Sequence, residues 1–117
     1  MRKFVILATC VASLAVGGVA SAGTAGHTLT GTVGPEDTIT LSAGGHAVSK
    51  LQAGSYTIVV RDRAGDHDFH FYGPGVNRTT SVGGTGTVTW HVKLRKGTYR
   101  FICDPHATFM KGALKVA

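Results

Sequence analysis

The chain has 117 residues and a mass of 12.1 kDa, with 12 Lys plus Arg against 6 Asp plus Glu, 17 Gly and 2 Cys. A length of this order holds one domain, and apart from Arg2 and Lys3 the basic side chains are scattered from Lys50 to Lys115 rather than gathered on one element, which argues against a nucleic-acid-binding surface. The two cysteines, Cys10 and Cys103, lie far apart, and Cys10 sits in an N-terminal apolar run.

That run reads as an export signal. Arg2 and Lys3 precede the apolar stretch Phe4 to Val16, and the small residues from Gly17 end in Ala20-Ser21-Ala22, an A-x-A cleavage site. An uncleaved anchor fits less well, because Gly17 and Gly18 interrupt the run and no basic flank follows. Leu7-Ala8-Thr9-Cys10 resembles a lipoprotein box only faintly and comes too early. We therefore expect a signal peptide at 1–22, a domain at 23–117 and a periplasmic or extracellular location, with association to a membrane surface left open. Cleavage would remove two basic residues and leave 95 residues with ten basic against six acidic side chains, a balance of +4. A single cysteine would remain, so a disulfide within the domain is excluded.

From Thr28 onward, period-two alternation of apolar and polar residues predominates and no helical pattern is long enough to predict a helix. Strands are predicted at Thr28–Val33, Thr38–Leu41, Ser55–Asp62, His67–Tyr72, Thr87–Leu94, Thr98–Cys103 and Lys111–Val116. In Thr87–Leu94, Val88, Trp90, Val92 and Leu94 are expected on one buried face. Turn signals separate the strands: Gly34-Pro35, Gly44-Gly45, Ala64-Gly65, Gly73-Pro74-Gly75, Gly83-Gly84 and Lys96-Gly97. About seven short strands predict an all-β sandwich or small barrel. Leu51-Gln52-Ala53-Gly54-Ser55-Tyr56 is echoed by Leu94-Arg95-Lys96-Gly97-Thr98-Tyr99, and each copy reads as a turn feeding a strand with no chemistry assigned to its tyrosine.

The chemistry gathers near the C-terminus, where Cys103, His106 and Met110 form C-x2-H-x3-M. Thiolate, imidazole and thioether together suit copper in both oxidation states; structural zinc sites rarely use methionine. A trigonal His2Cys site with a weak axial Met needs a second histidine, and His67 and His70 are the candidates. If Phe69 and Phe71 face the core, strand parity puts His67 on their side and His70 outside. The expected metal ligands are therefore His67, Cys103, His106 and Met110.

With Asp66-His67-Asp68-Phe69-His70-Phe71 followed by Cys103-Asp104-Pro105-His106, the chain resembles the small blue-copper cupredoxins, the plastocyanin, amicyanin and pseudoazurin family, over nearly all of the region after the signal. The resemblance implies a Greek-key β-sandwich of about seven to eight strands, one copper ion and one-electron transfer. In the family the first histidine of the strand motif is the ligand, and it is usually followed by Asn. Here Asp68 takes that place, with Asp104 beside the cysteine. Ionised, the two carboxylates would favour Cu(II); alternatively, one keeps its proton and replaces the missing amide donor.

His106, framed by Pro105, Ala107 and Phe109, is the expected electron port, where a redox partner protein would dock transiently, with Gly73-Pro74-Gly75-Val76 near the same end. A monomer is expected. His27, His46 and His91 read as solvated histidines, and Asn77-Arg78-Thr79 satisfies a glycosylation sequon. Neither Gly73-Pro74-Gly75 nor Gly83-Gly84-Thr85-Gly86 extends to a phosphate-binding fingerprint. An electron carrier is the leading expectation. The others are an envelope protein that delivers, buffers or stores copper, and a β-sandwich interaction module with incidental Cys and His. No general-base constellation supports a hydrolase, so no enzymatic activity is expected.

Overall fold

A computed structural model describes residues 27–117; the expected signal segment and Cys10 lie outside the described residues. Ten strands form two five-stranded sheets. The strands are β1 (Thr28–Val33), β2 (Ile39–Ala43), β3 (His46–Ala47), β4 (Lys50–Leu51), β5 (Gly54–Asp62), β6 (His70–Gly73), β7 (Val76–Thr79), β8 (Gly86–Leu94), β9 (Gly97–Ile102) and β10 (Lys111–Val116). The first sheet runs β3-β2-β1-β5-β8 and the second β4-β10-β9-β6-β7. Both are mixed, because β1 pairs parallel with β5 and β10 parallel with β4.

The sandwich agrees with the all-β expectation, with three more strands than the alternation predicted. β3 and β4 are two residues each, and β7 buries none of its four residues fully. Such edge pieces carry no apolar face, so period two does not reveal them. Where a strand does bury a face, the alternation holds. Tyr56, Ile58 and Val60 in β5, Tyr99 and Phe101 in β9, and Leu114 and Val116 in β10 point into the core. In β8 the expected face covers Val92 and Leu94, but Val88 is 41% exposed. β8 is the outermost strand of its sheet, and Val88 opens on a surface groove lined by Thr79, Ser81, Gly84 and Trp90.

The interior is aromatic at its centre. Phe69 stacks on Phe101 with ring centroids 6.0 Å apart, and Phe71 stacks on Tyr99 at 5.5 Å. Each sheet makes room for one of these rings with a glycine: a Cβ on Gly31 of β1 would lie 2.6 Å from the Phe69 ring, and one on Gly112 of β10 would collide with Phe101. Packing at interior density leaves no slack for that atom.

The sequence echo is a repeated structural device. The Tyr56 hydroxyl donates to the Gln52 carbonyl at 2.6 Å, four residues back; the Tyr99 hydroxyl accepts from the Arg95 amide at 2.9 Å and donates to the Pro74 carbonyl at 2.8 Å. Gly54 and Gly97, two residues before each tyrosine, have φ of +157° and +147°, which side chains disfavour. Each glycine turns the chain so that the following ring can reach back and fasten the turn to the core. His27, expected to be solvated, is half-buried and packs edge-on to Tyr56, with centroids 5.1 Å apart.

Candidate metal centre

β9 ends at Ile102, and the chain makes one 3₁₀ turn, Asp104–His106, before β10 begins at Lys111. Backbone bonds close this loop on itself. The Cys103 amide donates to the Met110 carbonyl at 3.0 Å, the His106 amide to the Cys103 carbonyl at 3.0 Å and the Met110 amide to the His106 carbonyl at 2.8 Å. Cys103 and Met110 therefore face each other across the loop mouth, both buried, and His106 sits half-buried above them.

The other side of the centre differs from the strand expected at His67–Tyr72. Regular pairing starts only at His70, and His67, Asp68 and Phe69 are all buried in succession. Alternation fails here because side chains replace most of the ladder, of which the bond from the Thr80 amide to the Phe69 carbonyl at 3.1 Å remains. The Phe69 amide donates to the Thr80 hydroxyl at 2.8 Å, and that hydroxyl donates to buried Asp62 at 2.9 Å. Asp68 turns inward and takes the Asp104 amide on Oδ1 at 2.6 Å and the Thr79 hydroxyl on Oδ2 at 3.2 Å. The carboxylate thus ties the histidine segment to the cysteine loop.

These constraints bring three donor atoms together. His67 Nδ1 lies 3.0 Å from His106 Nδ1 and 3.6 Å from Cys103 Sγ, and His106 Nδ1 lies 3.5 Å from the same sulfur. Atoms that share one ion at about 2.0–2.3 Å in tetrahedral directions are spaced by about 3.3–3.6 Å, close to what these three show. Cys103 is a buried free thiol among the described residues, so its sulfur has no competing disulfide. Two imidazoles and a thiol turned on one point suit a single copper ion. His70 stays outside: Nδ1 meets Asp104 Oδ1 at 3.0 Å and Nε2 meets Asn77 Oδ1 at 2.6 Å.

Burial pushes the Cys103 thiol above its usual value, so without a metal the sulfur is protonated at neutral pH. Asp68 and Asp104 split in opposite directions. Burial, reinforced by the Asp104 carboxylate, raises Asp68, whereas hydrogen bonding with Asp68, helped by His70, lowers Asp104. Of the pair, Asp68 takes the first proton. His70 is raised: burial works against its charge, but the Asp104 and Asn77 hydrogen bonds and the charges of Asp104 and Asp68 prevail.

A family model of copper-binding proteins, the plastocyanin/azurin family, matches residues 22–117. The chain belongs to that family. The cupredoxin architecture recurs among solved structures at low identity. A rusticyanin structure shares 14% of residues over 77% of this chain and 76% of that one, with a TM-score of 0.58. Rusticyanin from Thiobacillus ferrooxidans shares 17% over the same fractions, at 0.53. Reduced auracyanin from Roseiflexus castenholzii is 16% identical over 78% of this chain and 97% of that one, at 0.49. For the two rusticyanins, at these identities, the likeness is one of fold. No curated protein sequence matches the chain.

Asp62, Thr79 and Thr80, which hold the histidine segment, and Asp37, which approaches His67 Nε2, have no sequence spacing that marks them. The chain order separates them from the ligand motif by up to 66 residues, from Asp37 to Cys103, and only the packing of the sheets brings them to it.

Proposed function

We propose that this cupredoxin is an exported one-electron carrier with a type 1 copper site, which His67, Cys103 and His106 would hold with Met110 as a weak fourth ligand. The observation that carries the reading is the convergence of two imidazole nitrogens and a buried, unpaired thiol within 4.8 Å of one another. Met110, buried and joined to Cys103 by the backbone bond that closes the loop, is the fourth donor in this reading. Copper would supply the redox change, one electron gained or lost.

The protein's own part is to hold its donors still. His67 and Cys103 come from two segments joined by the Asp68 carboxylate and backed by the Phe69–Phe101 stack, so the donors are held in place when the charge at the centre changes. Metal uptake would release the Cys103 proton and cross-link strands that no disulfide joins. His106 is the more exposed of the two imidazoles, and its ring lies 5.4 Å from that of Phe109, which is 57% exposed. With exposed Pro105 and Ala107, this makes a small apolar surface around the imidazole edge. It suits transient docking of a redox partner protein.

Adding Cu(II) to the purified domain and recording visible and electron spin resonance spectra tests the reading. Intense thiolate-to-copper absorption with narrow hyperfine splitting is expected, and Cys103→Ser abolishes it while the sandwich stays folded by circular dichroism. An ordinary tetragonal spectrum overturns the carrier. Electron self-exchange faster than copper transfer to a chelator separates a carrier from a protein that delivers or stores the metal.

A further inference from the structure

His67 is almost wholly buried, yet Nε2 has no hydrogen-bond partner, the only buried side-chain nitrogen or oxygen among the described residues left in that state. Its other nitrogen faces Cys103 and His106. When the Nδ1 lone pair is committed to a metal, the neutral ring carries its proton on Nε2, so a buried N–H is left unpaired. That is costly, and histidines that bind metals normally give this proton to a carboxylate, a carbonyl or water.

Two carboxylates stand close. Asp37 Oδ1 is 3.5 Å from Nε2 and Asp66 Oδ1 is 3.8 Å away, each just beyond a good hydrogen bond. The ring cannot move toward them, but Asp37 can move toward the ring, since its side chain is 66% exposed while that of His67 is 1% exposed. The turn that carries Asp37 is itself pressed against the imidazole. The Gly34 amide donates to the Thr38 carbonyl at 2.9 Å and the Thr38 amide to the Glu36 carbonyl at 2.7 Å, closing the connection between β1 and β2. At Gly34, φ is +73°, and a Cβ there would lie 2.7 Å from the Ala64 Cβ and 3.4 Å from His67 Cδ2, the carbon next to Nε2. The tight turn thus delivers a carboxylate to the outer edge of the ring.

We propose that Asp37 is the positioning residue for His67: it accepts the Nε2 proton when Nδ1 binds copper, with Asp66 as the secondary acceptor. The inference rests on the proposed copper site. The carboxylate fixes the ring, makes Nδ1 a stronger donor and places negative charge on the side of Cu(II), so it lowers the reduction potential. The effect is modest, because exposed carboxylates are screened by water and salt.

The test compares the copper-loaded protein with Asp37→Asn, Asp37→Ala, the double variant Asp37→Asn/Asp66→Asn, Asp37→Glu, and Glu36→Gln as a control for losing an exposed charge on the same turn. The potential is read by voltammetry at low and high salt, and the His67 Nε2 proton by NMR of the Cu(I) form. Asp37→Asn is expected to raise the potential by a several-fold change in the Cu(II)-to-Cu(I) affinity ratio, where tenfold equals about 59 mV. The double variant shifts it further, Asp37→Glu restores most of it, and Glu36→Gln leaves it in place. The Nε2 proton exchanges slowly in the parent and quickly in Asp37→Ala, which has no acceptor oxygen. An unchanged potential in a blue double variant, with an unchanged proton in Asp37→Ala, overturns the role of Asp37. So does a shift equalled by Glu36→Gln and erased by salt, which is the mark of surface charge alone. A parent protein that fails to turn blue overturns the copper reading instead, and this inference with it.

Discussion

The loop from Cys103 to Met110 keeps its shape largely through its own backbone, whereas the segment from His67 to Phe69 is held mainly by side-chain hydrogen bonds to distant parts of the chain. In the loop, the amides of Cys103, His106 and Met110 all find carbonyl partners within eight residues. In the segment, Phe69 relies on Thr80 and through it on Asp62, and Asp68 relies on Asp104 and Thr79. A local motif can carry its geometry with it. A segment with little ladder takes its geometry from its neighbours, so its donor, His67, is the one more easily displaced.

The largest expected effect on this contrast comes from Phe69→Ala. It removes a fully buried ring that stacks on Phe101 and fills the space left by Gly31, and it should destabilise the metal-free protein by about 3–5 kcal/mol in urea unfolding. Copper affinity should fall with it, because His67 is two residues away. An equally destabilised Leu114→Ala, buried in β10 away from the segment, should bind copper more tightly than Phe69→Ala; equal affinities would mean that the segment is no more dependent on its packing than the loop.

Asp68→Ala comes next, since it leaves the Asp104 amide and the Thr79 hydroxyl without their acceptor. A loss of about 1–3 kcal/mol is expected, together with faster copper loss to a chelator. Asp68→Asn keeps an acceptor oxygen and should recover most of the first effect. A variant that unfolds at the parent urea midpoint would show that the two segments do not depend on this tie.

The smallest effect concerns His70, at the outer edge of both regions. Its value is raised above the ordinary 6.5, so its contribution to stability is fully present below pH 6.5 and is lost as pH rises through its folded value. The metal-free protein should therefore lose stability over that rise, and His70→Gln should flatten the curve. Urea midpoints measured from pH 5 to pH 8.5 decide it, and an unchanged slope in the variant removes His70 from the account.

Much of this contrast can be read along the chain. C-x2-H-x3-M lies within eight consecutive residues, so Cys103, His106 and Met110 stand out as a donor set before any fold is known. The long strands are equally legible, because β5, β9 and β10 each bury one face and period two follows from that burial. Strand parity favours His67 over His70 on the premise of a regular strand. The structure brings His67 to Cys103 and leaves His70 outside, but by a different route, with three consecutive buried residues where a strand would have turned Asp68 to solvent. The edge strands β3, β4 and β7 are not legible in the sequence, because they bury too little to leave a pattern.

The sequence by itself determined the all-β class, the soft donor set on one loop and the family. Alternation and close spacing are local properties, and a local property survives in a one-dimensional record. Only the tertiary structure decided what surrounds the donors: Asp68 bridging to the Asp104 amide, Thr80 capping Phe69, Gly31 making room for its ring, and Asp37 at the far edge of His67. These partners come from different strands and turns, and their meeting depends on how two sheets pack at a common end, a relation between distant residues that spacing along the chain does not encode.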